Sequence, residues 1–252
     1  MLLCSVKVLE HIQSMVTEGK KGLAVLLDPD KLVSKASRDR LINLINSSPV
    51  DLVLVGGSLI VEDHFDEVTR AIKSSCKKPL ILFPGSATQV TKNVDAVLFL
   101  SLISGRNPEL LIGQHVIAAP MIRRLGLEAI STGYMLVDCG KPTTASYISG
   151  TLPIPYDKPE IAGVTAMAGE MLGNKIIYLD GGSGASRPIS SGMIGATRKC
   201  VNIPIVVGGG IQTEEAAHRA WTAGADFLVM GTAIEENPDL LFDICAAKKA
   251  FS

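Results

Sequence analysis

Short apolar runs alternate along the chain with longer stretches in which apolar residues recur every three to four positions. The runs fall at Leu23–Leu27, Leu52–Val55, Leu80–Phe83, Ala96–Leu100, Gly133–Val137, Ile176–Leu179, Ile205–Val207 and Phe227–Met230. Gly, Pro, Ser or Asp follows close behind them, and such residues punctuate turns. Most runs are apolar throughout, as expected of parallel strands covered on both faces. Between them, Ser34–Ser47, Glu62–Ser75, Glu160–Leu172 and Thr213–Ala223 show helical amphipathicity. Thr213 with Glu214 and Glu215 makes a helix start, a capping hydroxyl followed by first-turn carboxylates. Eight strand signals separated by helix signals predict an α/β fold, a (β/α)8 TIM barrel.

One stretch resists the pattern. Residues 138–159 carry four prolines, Pro142, Pro153, Pro155 and Pro159, which excludes a single long helix and marks a candidate lid or substrate loop. A plain surface excursion is the alternative. No repeat, low-complexity tract or linker interrupts the chain, so residues 1–252 are expected to form a single barrel domain, a size usual for this fold.

Composition narrows the function. The chain has 252 residues, 47% of them hydrophobic and 19% charged, with a formal net charge of -1. That excludes a disordered chain and leaves no global electrostatic footprint for a nucleic acid. Cys4, Cys76, Cys139, Cys200 and Cys245 lie far apart without metal-ligand spacing, as scattered reduced thiols of a cytoplasmic protein do. The start, MLLCSV followed by charged residues, lacks a signal-peptide core. No apolar run reaches the roughly 18 residues of a spanning helix. His11, His64, His115 and His218 are separated and none falls at a strand's carboxyl end, so a Ser/His/Asp triad is not expected.

Catalytic groups of a βα barrel stand at the carboxyl ends of its strands. Here those positions are rich in Gly, Ser and Asp. Gly208, Gly209 and Gly210 after the seventh strand, and Gly231 and Thr232 after the eighth, present bare backbone that can aim several N–H groups at a phosphate. The start of a short helix at Ala233–Asn237 would assist. Tight-turn glycines are the alternative. On the sixth strand Tyr178 and Asp180 share a face, a phenol and a carboxylate able to bind and deprotonate an alcohol. The alternative makes Asp180 a turn cap and Tyr178 a core residue. Asp28, in Asp28-Pro29-Asp30, and Ser58 offer hard oxygen ligands for Mg²⁺, although Asp-Pro-Asp is also a common turn. Lys31 and Lys141 lie near the rim.

The stretches LLDPDK at 26–31, VGGSL at 55–59, LFPGS at 82–86, FLSLISGRNP at 99–108, YLDGGSGA at 178–185, VGGGI at 207–211 and GTAIEENP at 231–238 run in order through nearly the whole chain. Together they resemble the geranylgeranylglyceryl phosphate synthase family, in particular its larger group. The resemblance implies a barrel that joins sn-glycerol 1-phosphate to a polyprenyl diphosphate as an ether, with Mg²⁺ as cofactor. It implies that Asp28 and Ser58 hold the metal. Tyr178, Leu179, Asp180, Gly181, Gly182, Ser183 and Gly184, with Gly209, Gly210, Gly231 and Thr232, are implied to bind the glycerol phosphate, and Asp180 to act as the base. A homo-oligomer is implied as well. Two positions depart from the family pattern: Asp180 stands where the family has Glu, and Leu26 where shorter members carry Lys.

On this reading the glycerol C3 hydroxyl attacks the allylic carbon while Asp180 takes its proton. A prenyl chain of about twenty carbons needs an apolar groove, each buried CH₂ contributing about 0.8 kcal/mol. Phe83, Leu100, Ile103, Tyr134 and Tyr147 are candidate walls. A lipid-like product leaves room for transient membrane contact. The rival readings are a phosphosugar isomerase or aldolase on the same barrel, and a non-catalytic phosphate-ligand binder.

Overall fold

The computed structural model describes residues 7–60 and 64–251. Eight parallel strands close into a barrel in chain order: β1 (Gly22–Leu27), β2 (Leu52–Val55), β3 (Leu80–Leu82), β4 (Ala96–Leu102), β5 (Glu128–Leu136), β6 (Ile176–Asp180), β7 (Ile205–Gly208) and β8 (Phe227–Met230). The helices are α1 (Val8–Thr17), α2 (Lys35–Ser47), α3 (Phe65–Ser75), α4 (Gln114–Leu125), α5 (Thr144–Ser149), α6 (Pro159–Met171), α7 (Ser191–Cys200), α8 (Glu214–Thr222), α9 (Thr232–Glu236) and α10 (Leu240–Lys248). Thr213 caps α8 as expected, its hydroxyl accepting from the Ala216 amide at 3.2 Å. The helix expected from Glu62 starts, within the described residues, at Phe65; Glu62, Asp63 and Cys4 lie outside them. None of the described helices is long and apolar enough to cross a membrane.

Strand alternation divides the apolar residues into two cores. Ala24, Leu52, Leu54, Ile81, Leu98, Ile130, Ile176, Val206 and Val229 fill the barrel, whereas Leu23, Val25, Val53, Leu82, Ile177, Val207 and Leu228 pack outward against the helices. Helix α1 belongs to the inner core, because its Val8, Ile12 and Met15 close the barrel floor. Its first amides are held from β5, where Glu128 accepts from Val8 N at 2.7 Å and Leu9 N at 3.2 Å.

The floor also carries a motif used three times. Asp51, Asp95 and Asp226 each precede a strand and pair reciprocally with a residue of the preceding strand. Their own amides donate to the carbonyls of Leu23, Leu80 and Ile205 at 2.9, 2.7 and 2.8 Å. Their carboxylates accept from the amides of the same three residues at 2.7, 2.8 and 2.8 Å. Each carboxylate also meets a cation: Lys248 at Asp51, Lys73 at Asp95, and Arg198 with Lys21 at Asp226.

Strand β5 begins at Glu128 rather than Gly133, since its hydroxyl-bearing first half is paired along its length with β4. Buried Thr132 satisfies its hydroxyl on the Ile130 carbonyl at 2.9 Å, so polarity there does not mark a loop. The connection from β3 to β4 has no α-helix, only the single turn Ala87–Gln89. The stretch 138–159 is built rather than loose. Val137 bridges to Ile154, and α5 starts with a reciprocal cap between Thr143 and Ser146.

Asp226→Ala leaves the buried Ile205 amide without its acceptor and uncouples Arg198. The expected cost is about 3 kcal/mol, read as a lower urea midpoint at unchanged slope.

Candidate active site

The carboxyl ends of β6, β7 and β8 meet on one side of the rim. Gly209 and Gly210 hold left-handed φ values of 86° and 71°, and Gly182 and Gly184 hold 83° and 67°. Such turns admit close backbone approach, and a Cβ at Gly209 would lie 2.8 Å from Gly182 N. Across the gap Ser183 Oγ and Thr232 Oγ1 are 3.0 Å apart, tying the β6 loop to α9. Gly231 stands as the N-cap of α9, which starts at Thr232, one residue before the sequence suggests. The Lys141 ammonium reaches over this turn, 3.5 Å from where a Cβ at Gly184 would stand. Arg187 stacks on the Tyr156 ring, 3.6 Å from its centroid. Lys31 is committed elsewhere, in a 2.7 Å ion pair with Glu235.

Tyr178 and Asp180 do share the inward face of β6, and both are buried. Leu179 points outward into the second core. Asp180 is fixed at both oxygens: Oδ1 accepts from the Gly182 amide at 2.7 Å and Oδ2 from the Tyr134 hydroxyl at 2.5 Å. The carboxylate therefore does cap its turn, and it meets a phenol besides. Burial pushes its carboxyl above the usual Asp range, and the two hydrogen bonds oppose that. Tyr134 and Tyr178 are pushed well above the ordinary phenol range by burial and by the Asp180 charge. The Cys139 thiol is pushed up to about 12, chiefly by burial. Phe83, Tyr134 and Tyr178 stack as a cluster, with ring centroids 5.3 to 5.7 Å apart. A Cβ at Gly208 would fall 2.5 Å from the Tyr178 hydroxyl, so the glycine makes room for the phenol.

On the adjoining side, Asp28 caps the single turn Pro29–Lys31, accepting from Asp30 N at 3.1 Å. The loops after β1 and β2 converge, and a Cβ at Gly57 would lie 3.9 Å from Asp28 Oδ1. Asp28 is half-buried and its carboxyl is pushed up by desolvation. Among the described residues no three or more His, Cys, Asp or Glu form a metal-holding group. A hard cation that keeps most of its water needs no such group, because one carboxylate and one hydroxyl leave room for water and diphosphate oxygens. A cation there would also offset the desolvation of Asp28, so this donor set fits Mg²⁺.

The missing helix between β3 and β4 opens the side of the barrel. There an apolar groove with an empty volume of about 960 Å³, which includes open solvent, runs from Ser58 past Phe83, Tyr134 and Leu100 to Ile122 on α4. Its walls differ in part from those expected. Ile103 packs outward, its Cδ1 2.8 Å from where a Cβ at Gly133 would stand, and is not a wall. Tyr147 is 84% exposed, and its neighbour Ile148 lines the groove instead. The groove follows β4 and the inner face of α4, whereas Ile103 packs on the other side against Gly133 and Gly169. His115 on that face is buried against Phe99 and bonds Ser101 Oγ at 3.2 Å, a packing role.

Three comparisons bear on this arrangement. The sequence profile of the PcrB family matches residues 15–249. The geranylgeranylglyceryl phosphate synthase of Spirosoma linguale is 52% identical over 234 residues, covering 93% of this chain and 94% of that one. The synthase of the same name from Korarchaeum cryptofilum is 42% identical over 90% of this chain and 93% of its own. The crystal structure of (S)-3-O-geranylgeranylglyceryl phosphate synthase from Thermoplasma acidophilum, in complex with its substrate sn-glycerol-1-phosphate, superposes with a TM-score of 0.90 at 29% identity, covering 97% and 99% of the two chains.

With its raised pKa, Asp180 binds a proton more tightly in the folded than in the unfolded chain. Its contribution to stability is therefore full at acid pH and is lost as pH rises through the folded pKa. Asp180→Asn is expected to raise the melting temperature at pH 7, because it removes a buried charge. The gain over the parent chain shrinks as thermal scans move toward the ordinary carboxylate range.

Proposed function

Because the chain belongs to the PcrB family, we infer that it is a prenyltransferase that joins the C3 hydroxyl of sn-glycerol 1-phosphate to a polyprenyl diphosphate. The products are an ether-linked prenylglyceryl phosphate and diphosphate. The observation that carries this reading is the meeting, on one rim, of a glycine-built turn cluster with an apolar groove, the two halves of a polar-plus-prenyl substrate pair.

In this reading the phosphate lies against the turns built by Gly181, Gly182, Gly209 and Gly210, and the amides of Ser183, Gly184, Gly231 and Thr232 turn toward it, those of Gly181 and Gly182 being spent on the Gly208 carbonyl and Asp180. Backbone donors do this work, Leu26 carrying no charge, and Lys141 adds one. The groove along β4, lined by Phe83, Leu100 and Ile148, receives the prenyl chain. Asp28 and Ser58 would hold Mg²⁺. When bound, the ion neutralises charge on the departing diphosphate. Asp180 takes the proton of the attacking hydroxyl, and burial makes its carboxylate a stronger base than a solvated one. Tyr178 packs beside it and excludes water. We assign the whole chain to one barrel domain, working in the cytoplasm as a homo-oligomer with transient membrane contact during product release.

The test is incubation with Mg²⁺, sn-glycerol 1-phosphate and prenyl diphosphates of several lengths, with mass spectrometry of the lipid extract. An ether product is expected; bound glycerol phosphate without product would return the chain to a ligand binder. Asp28→Asn is expected to lower Mg²⁺-dependent turnover at least 100-fold with an unchanged circular dichroism spectrum. Unchanged turnover would remove Asp28 from the metal site.

A further inference from the structure

Asp180 is buried at the end of β6. Its two oxygens face Gly182 N and the Tyr134 hydroxyl, and it is not among the residues that line the groove. Tyr134 is, so the side chain that holds the buried carboxylate also borders the open space. Its ring is fixed from two sides, edge-on by Phe83 at 75° and obliquely by Tyr178 at 51°. The phenolic hydrogen is spent on Asp180, which leaves the oxygen lone pairs as acceptors for an incoming hydroxyl.

We propose that Tyr134 relays the proton from the glycerol hydroxyl to Asp180, a role that rests on Asp180 being the base. As the glycerol oxygen forms its bond to the allylic carbon, the bond from that carbon to diphosphate breaks and its electron pair leaves with diphosphate. The hydroxyl proton passes to the Tyr134 oxygen while the Tyr134 proton passes to Asp180 Oδ2. The step ends with an ether, free diphosphate, a neutral Asp180 and a neutral Tyr134. Burial and the neighbouring charge disfavour a phenolate at Tyr134, which suits a concerted transfer through the phenol rather than a stepwise one.

The titratable groups around Asp180 are Tyr134 on β5, Tyr178 on its own strand and Cys139 beyond β5. Tyr178 and Cys139 are held protonated, so of these groups Asp180 is the one whose acid limb changing Tyr134 moves. Tyr134→Phe keeps the ring and removes only the relay oxygen. Assayed with Mg²⁺, sn-glycerol 1-phosphate and geranylgeranyl diphosphate, it is expected to lose about 100-fold in kcat with KM for glycerol phosphate within threefold. Its acid limb is expected to move to higher pH, because the hydrogen bond that favours ionised Asp180 is gone. A kcat within threefold of the parent, or a loss with the acid limb unmoved, overturns the relay. Asp180→Asn separates the two readings. If it is inactive while Tyr134→Phe is active, only the relay falls; if it keeps full activity, the base assignment falls and takes the relay with it. Should Tyr134→Phe fold poorly, 3,5-difluorotyrosine at 134 preserves the packing. Its more acidic hydroxyl is expected to bring an alkaline limb into the measured range, and a profile identical to the parent's overturns the relay.

Discussion

A closed parallel barrel has to pair its strands at the floor, where each strand enters from a loop and its first polar groups have no ladder partner. Here that constraint is met at β1, β3 and β7 by an aspartate from the next connection, which exchanges two hydrogen bonds with the entering strand and carries its own cation. Buried amides are thereby satisfied without water. Everything at the opposite end depends on this anchoring. With the floor plugged by α1 and pinned by Asp51, Asp95 and Asp226, the rim is free to use glycine-rich turns that contribute little stability of their own.

The site is the top layer of the inner core. The alternation that sends Ile176 into the barrel also sends Tyr178 and Asp180 there, and at the top apolar side chains give way to phenols and one carboxylate. Burying a carboxylate without a cation is costly, and this fold tolerates it by giving each oxygen a donor. The aromatic cluster of Phe83, Tyr134 and Tyr178 marks the boundary between that polar corner and the apolar groove, so the same cluster packs the groove wall and holds the buried carboxylate.

Much of this was legible in the chain itself. The apolar runs place all eight strands, β2 and β8 residue for residue, because buried parallel strands are apolar on both faces. The glycines after β6, β7 and β8 were legible as a cluster, since their positions follow from strand order alone. The first half of β5 was not, for its hydroxyls mimic a loop and are satisfied only by pairing with β4. The bond from Tyr134 to Asp180 joins residues 46 positions apart and leaves no local trace. Ile103 and Tyr147 misled for a related reason: which way a residue just past a strand, or on a short helix, turns is decided by its tertiary neighbours, Ile103 packing outward under Gly169 and Tyr147 facing solvent. The floor motif did leave one, in Val50-Asp51-Leu52, Val94-Asp95-Ala96 and Ala225-Asp226-Phe227, an acid wedged between apolar residues where a strand begins.

The gap in the helical ring between β3 and β4 also bears on tail length. The glycine turns occupy the β6–β8 sector of the rim and the groove leaves through the β3–β4 sector, so the two openings lie on different sides of the barrel. A long apolar tail laid in that groove would follow the barrel wall while its head reached the rim, which uncouples tail length from the geometry at the rim.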